Sequence, residues 1–158
     1  MSDFYVIERL MKQLFSRDYQ FALATSNHNE VHNRFVDTYY QNNAFYIVTY
    51  GTSKKVQDIL VNDQVALTCR KLYSFQGKAV HLGHPLKEDN ELIRNQLIHV
   101  FKDWYFQHNN ELDPLMCYIK IDITKAFFHL DGIGYSVDFI NRSVEQFPFF
   151  PSINYTEE

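Results

Sequence analysis

The stretch from Arg34 to Asp63 constrains this fold more than any other part of the chain. It reads as a strand (Arg34-Phe35-Val36-Asp37-Thr38-Tyr39), an Asn42-Asn43 turn, and a second strand (Ala44-Phe45-Tyr46-Ile47-Val48-Thr49). A Tyr50-Gly51-Thr52-Ser53-Lys54-Lys55 turn then opens a short helix that ends at Asn62-Asp63. Two β-branched and aromatic runs joined by turn residues commit the segment to paired strands. An arginine on one strand, a threonine at the end of the next, and Gly-Thr-Ser-Lys-Lys at a helix start bring cations, hydroxyls and free backbone N–H groups together. One dianionic phosphate satisfies them all.

The rest of the chain extends this β-rich pattern. Phe4, Ile7, Leu10, Met11 and Leu14 recur at helical spacing, so a first helix capped by Ser2 or Asp3 is expected to end near Arg17. Tyr19–Ser26 is a buried strand that returns through Asn27-His28-Asn29-Glu30 into Val31–Tyr40. The unbroken apolar run from Ala44 to Thr49 implies burial on both faces. Val56, Ile59 and Leu60 give the short helix after Lys54 its apolar stripe. Gln64–Arg70 and Phe75–His84 read as strands. Pro85 and Lys87-Glu88-Asp89-Asn90 precede one long helix from Glu91 to His108, with Ile93, Leu97, Val100, Phe101 and Trp104 on its buried side.

Cys117, Ile119, Ile121 and Ile123 alternate with Tyr118, Lys120, Asp122 and Thr124, the cleanest period-2 signal present. Gly132 and Gly134 suit a turn before a last hairpin, Tyr135–Ile140 with Ser143–Phe147. The expectation is about seven strands joined largely by short turns, without βαβ alternation: a mainly β (α+β) protein, an antiparallel barrel with peripheral helices. Residues 1–150 form a single domain on this reading, and 151–158 a loose tail.

Composition narrows the function. The 158 residues are 46% apolar and 16% aromatic, enough for one real core and for aromatic surface to bury against a partner. A formal charge of −4 with no dense basic face argues against nucleic acid. Two cysteines, no signal-like start and no run approaching ~20 apolar residues read as a cytoplasmic protein that enters no membrane.

The chain resembles the flavin-binding split β-barrel proteins grouped around pyridoxamine 5′-phosphate oxidase. The resemblance rests on Phe21-Ala22-Leu23-Ala24-Thr25-Ser26, Arg34, Phe45-Tyr46-Ile47-Val48-Thr49 and Ser53-Lys54-Lys55. It continues through Asn62-Asp63-Gln64-Val65-Ala66-Leu67 and Gly77-Lys78-Ala79, and more weakly from Tyr118 to Phe128. It implies an FMN cofactor whose phosphate is held by Arg34, Ser53, Lys54 and Lys55, with Val48 and Thr49 lining the ring and ribityl chain. It also implies a homodimer with the flavin at the subunit interface. The oxidases that act on pyridoxamine phosphate close with a Trp and an Arg-containing motif. Here the chain closes with Phe149-Phe150-Pro151-Ser152-Ile153-Asn154-Tyr155, so the resemblance supports the cofactor and not that substrate.

Plainer readings stand beside this one. Ser53 is also an ordinary helix cap, although two lysines in a first helical turn oppose the helix dipole unless an anion is near. Arg34 alone could pair with Asp37, and Thr49 alone is a good strand residue. His81 and His84 would point to opposite faces of a strand, so no metal is assigned. No nucleophile elbow or dinucleotide loop is present, and no catalytic residue is nominated. Flavin chemistry tolerates that, since the cofactor carries the electrons. The expectation is an FMN-dependent oxidoreductase on an unidentified small molecule, with reduced nicotinamide as a donor it allows and Tyr39, Tyr46 and Tyr50 near the ring. The alternative is a non-catalytic protein that binds or carries flavin or haem.

Overall fold

The computed structural model describes residues 3–151. In chain order the elements are α1 (Asp3–Phe15), β1 (Tyr19–Asn27), β2 (Glu30–Gln41), β3 (Ala44–Tyr50), α2 (Lys54–Val61), β4 (Gln64–Thr68) and β5 (Ser74–Gly83). A 3₁₀ turn (Glu88–Asn90) leads to α3 (Glu91–Val100), α4 (Tyr105–His108), β6 (Met116–Leu130), β7 (Ile133–Asp138) and β8 (Ser143–Pro148). Every strand pairing is antiparallel, in the order β3-β2-β1-β4-β5-β6-β7-β8. A further pairing of β3 with β6 closes the first six strands into a barrel and leaves β7 and β8 beyond it. Closure removes the edges that an open sheet would expose.

Local chemistry explains the hairpins. His28 and Asn29 have φ of 47° and 66°, Asn42 and Asn43 of 49° and 62°, and Asp131 and Gly132 of 52° and 80°. Two consecutive left-handed residues are what a two-residue turn needs to match strand twist, and Asn, Asp and Gly adopt them at least cost. Gly77 answers a different demand. A Cβ there would lie 2.6 Å from the Asp122 carbonyl oxygen and 2.7 Å from Ile121 Cγ2, so only glycine lets β5 cross β6 this closely.

The barrel is filled by aromatic rings. Phe15 of α1 meets Phe21, Phe45 and Phe75 of three strands, all essentially inaccessible, with centroids 5.0–5.8 Å apart. Most of these contacts are edge-to-face, the arrangement ring quadrupoles favour. Ile7, Leu10 and Met11 complete the α1 contribution. A smaller cluster, Leu97, Phe101, Tyr105, Met116 and Tyr118, joins α3 and α4 to the outside of β3 and β6.

The structure departs from the sequence reading in four places. Among the described residues there are eight strands, not about seven. The long helix from Glu91 to His108 is interrupted: α3 ends at Val100, and Trp104, at φ −138°, breaks the helical path before α4. No Gly or Pro causes this. Phe101 and Tyr105 are both fully buried and Phe101 stacks on Trp104 at 4.5 Å, so side-chain packing overrides helix continuation. The period-2 alternation does not continue along the whole of β6, because Thr124 is a bulge opposite Gln76 and Gly77. Cys117, Ile119, Ile121 and Ile123 join the barrel core before it and Ala126 and Phe128 after it, so the alternation changes phase. β3 is buried on one face in the barrel, and its other face, Tyr46, Val48 and Tyr50, packs with the α3–α4 cluster.

Of the capping pair proposed for α1, Asp3 begins the helix and Ser2 lies outside the described residues, as does the tail beyond Pro151. Among the described residues no helix is long and apolar enough to cross a membrane.

Candidate functional site

β2 and β3 pair only through Tyr39–Tyr46, Tyr40–Phe45 and Gln41–Ala44. Beyond that short ladder they separate, and a cleft of about 460 Å³ opens, lined by Phe35, Val36, Asp37, Ile47, Val48, Lys55, Trp104 and His108. Its volume lies within the range of small-molecule sites, about 300–1,000 Å³. The separated strands leave backbone N–H and C=O groups of β2 and β3 without ladder partners across the opening.

The residues singled out in the sequence converge beside this cleft. Arg34 sits on the face of β2 shared with His32 and Val36, away from Asp37, so the pairing with Asp37 weighed above does not occur. Its guanidinium Nη1 donates to the Leu23 carbonyl at 3.1 Å and to Thr25 Oγ1 at 2.8 Å, and Nη2 lies 3.8 Å from Asp58 Oδ2. Lys54 reaches the same carboxylate, Nζ to Oδ1 at 3.4 Å. Lys55 lines the cleft itself. Burial, reinforced by the nearby Arg34 charge, lowers its pKa. A half-buried cation beside another cation is stabilised by a bound anion.

Ser53 occupies the N-cap position of α2, yet its hydroxyl makes no capping bond. It donates to the Tyr50 carbonyl at 2.8 Å and lies 3.3 Å from Thr49 Oγ1. The first N–H groups of α2 are therefore left without a side-chain acceptor, at the positive end of the helix dipole. The plain capping reading of Ser53 fails on this geometry. Thr49 is 4% exposed and faces the barrel, whereas Val48 faces the cleft.

Asp58 is the residue the sequence reading missed. It is wholly inaccessible, accepts from Thr25 Oγ1 at 2.8 Å and lies 2.8 Å from His32 Nδ1. Burial raises its pKa, but the hydrogen bonds with Thr25 and His32 and the neighbouring Lys54 cation outweigh that and hold it down at about 2. The available signal was an acid beside the apolar stripe of Val56 and Ile59, four residues after Lys54. Asp37, Trp104 and His108 were also missed as cleft residues, because they meet only when the strands and the helical segment assemble.

Other expectations shift. Tyr39 donates to Gln96 Oε1 at 3.1 Å and Tyr50 Oη accepts from the Asn110 N–H at 2.9 Å, so both are committed to the α3–α4 segment rather than to the cleft. Tyr46 lines a separate cavity with His81 and Lys120. His81 lies in β5 and His84 beyond its end, bonded to the Asp113 carbonyl at 3.1 Å. No group of three metal-ligating side chains occurs among the described residues.

No protein-family model and no curated protein matches this chain. Solved structures do. General Stress Protein 26 from Bacillus anthracis superposes with a TM-score of 0.59 at 18% identity, over 89% of this chain and 98% of that one. A pyridoxamine 5′-phosphate oxidase-related, FMN-binding protein from Nostoc punctiforme gives 0.56 at 12% identity, over 96% and 98%. HutZ, the haem storage protein from Vibrio cholerae, gives 0.57 at 11% identity, over 73% and 86%. The fold is that of the pyridoxamine 5′-phosphate oxidase-like split barrels.

Proposed function

We propose that this protein binds FMN in the β2–β3 cleft and acts as an oxidoreductase on a small molecule. The observation that carries the reading is the meeting of Arg34, Lys55 and the uncapped start of α2 at one side of the cleft. There the cations and free N–H groups present what a phosphate needs. Ser53 sits at the same turn with Thr49 behind it, 3.3 Å from its hydroxyl, and Lys54 adds charge. Val48 and Ile47 flank the ring and ribityl chain from β3, and Trp104 and His108 form the opposite wall, where they keep water from the ring. Bound FMN would supply the hydride or electron chemistry. The relative from Nostoc punctiforme is an FMN-binding protein of this fold, which supports the choice.

The functional unit on this reading is a homodimer. Val31 and Phe35, each 73% exposed, project from one face of β2, and Leu60 and Val61 are exposed on α2. Phe35 also lines the cleft, so a second subunit covering it would close the flavin site. A second reading, non-catalytic binding of flavin or haem, draws on His108 in the cleft wall and on the likeness to a haem storage protein.

Titration with FMN and with riboflavin, which lacks only the phosphate, tests the site. Two charge-assisted contacts of roughly 1.5–3 kcal/mol each predict a preference for FMN on the order of a hundredfold or more. Equal affinity for the two flavins overturns the phosphate assignment. A copurifying Soret-absorbing pigment, with no affinity for FMN, favours haem.

A further inference from the structure

A guanidinium grips a phosphate well only when it is aimed, and Arg34 is held by neighbours on β1. Arginine is only a donor, and its Nη1 spends hydrogen bonds on two acceptors of β1, the Leu23 carbonyl at 3.1 Å and Thr25 Oγ1 at 2.8 Å. A threonine hydroxyl carries a single proton. With one lone pair of Thr25 taken by Arg34, that proton must go to another acceptor, and it goes to Asp58 Oδ2 at 2.8 Å. The direction of the chain is thereby forced: Arg34 to Thr25 to Asp58.

Both inner members are shut from solvent, Thr25 at 2% exposure and Asp58 at 0%. Water cannot replace either bond, and side-chain bonds in such surroundings hold geometry firmly. Asp58 gathers the neighbours as well. His32 Nδ1 lies 2.8 Å from Oδ2, Lys54 Nζ 3.4 Å from Oδ1, and Arg34 Nη2 3.8 Å from Oδ2. Oδ1 accepts no hydrogen bond among the described residues, so its interaction with Lys54 is one of charge alone. One buried carboxylate thus offsets two cations beside the cleft. Lys55 makes no ion pair among the described residues and is left as the cation available to a ligand.

We infer that Thr25 and Asp58 are positioning residues for anion binding, a buried relay that holds the Arg34 guanidinium in the orientation from which it grips a phosphate. The inference rests on reading the cleft as an FMN site. Neither residue touches the ligand. Each acts through Arg34, and because β1 and α2 both supply the relay, the grip is set before any ligand arrives. A preset donor loses less freedom on binding than one that must be ordered.

Thr25→Val is the decisive variant, since it keeps the β-branched shape and the charge while removing the relay hydroxyl. FMN and riboflavin dissociation constants are measured by flavin fluorescence on unmodified protein and on the variant, with circular dichroism to confirm folding. The expected result is a fall of about tenfold in the FMN-over-riboflavin preference with riboflavin affinity unchanged, the loss of one well-placed hydrogen bond. Thr25→Ser, which restores the hydroxyl, returns the preference. Should the valine variant not fold, Thr25→Ala gives the same loss.

A folded variant that keeps the full preference overturns the inference, and so does one that loses affinity for both flavins equally, which is the mark of a merely structural role. If unmodified protein shows no preference, the phosphate reading itself fails and takes the relay's role with it. That outcome is distinct from a failure confined to the variants.

Discussion

The indole N–H of Trp104 donates to the carboxylate of Asp18 at 2.8 Å, joining two points 86 residues apart in sequence. Asp18 also stands close to the carboxyl of Asp37, whose side chain lines the cleft. The helical segment between α3 and α4 is thus fastened to the start of β1 at the place where the cleft opens. Two carboxyl groups this near one another resist carrying two negative charges at once.

That contact makes stability depend on pH. Burial, then the nearness and charge of Asp18, raise the pKa of Asp37 to about 6. The folded value exceeds the unfolded one, about 3.9, so the proton's stabilising contribution is complete below pH ~4 and is lost as pH rises through ~6. Asp37→Asn therefore gains stability relative to unmodified protein across this window and keeps the gain at higher pH. Urea midpoints at pH 4.5 and 7.5 check it. An unchanged difference between the two pH values rejects the raised pKa of Asp37.

Asp58 has the opposite sign. Its folded pKa, about 2, lies below the unfolded value, so its contribution is present above pH ~4 and disappears as pH falls toward 2. Asp58→Asn is expected to be less stable than unmodified protein at pH 7, by a margin that narrows between pH 4 and 2. Thermal unfolding across that range shows the convergence or its absence.

Lys55→Ala should weaken FMN binding at least tenfold and leave riboflavin nearly unaffected, since the variant removes one charge-assisted contact to the phosphate. Calorimetric titration of both flavins reads this directly. Raising salt should erode the native preference more than it erodes that of the variant.

Glu111 holds the α3–α4 segment to its base. It receives two bonds from Arg94, at 2.7 and 2.6 Å, and one from Tyr105 at 3.1 Å, whose hydroxyl lies 2.5 Å from that of Tyr118 in β6. Glu111→Gln leaves the Arg94 cation with one neutral acceptor in place of a bidentate carboxylate and is expected to cost about 2 kcal/mol in urea unfolding. A cost near zero would mean that the apolar cluster of Leu97, Phe101 and Met116 holds the segment unaided.

Dimerisation through the exposed face of β2 predicts a solution mass twice the 18.8 kDa of the chain. Phe35→Glu, at a position 73% exposed, should restore the single-chain mass without lowering the monomer's own stability. Light scattering at micromolar concentration distinguishes the outcomes, and a native monomer would reject the interface.

Sequence by itself determined the parts of this protein that are local. Asn42-Asn43 and His28-Asn29 specify their turns because left-handed φ is a property of single residues. The stretch from Cys117 to Ile123 shows its barrel face because its ladder with β3 runs unbroken from Met116 to Asp122. The grouping of Arg34 with Ser53, Lys54 and Lys55 was legible because one hairpin and one turn suffice to bring them near.

Tertiary structure alone decided the rest. The bulge at Thr124 reverses the burial phase of β6, which no alternation pattern records, since a pattern carries a period but not the partner strand's register. The break before α4 comes from burying Phe101 and Tyr105 together against Met116 and Tyr118, without any helix-breaking residue. Asp58 and Asp37 look alike in sequence, two acids among many. One is buried among Thr25, His32, Arg34 and Lys54, which hold its pKa down at about 2, while burial beside Asp18 raises that of the other to about 6. A carboxyl group's chemistry is set by which donors and charges the folded chain places against it and by how far water is kept away, and both are non-local.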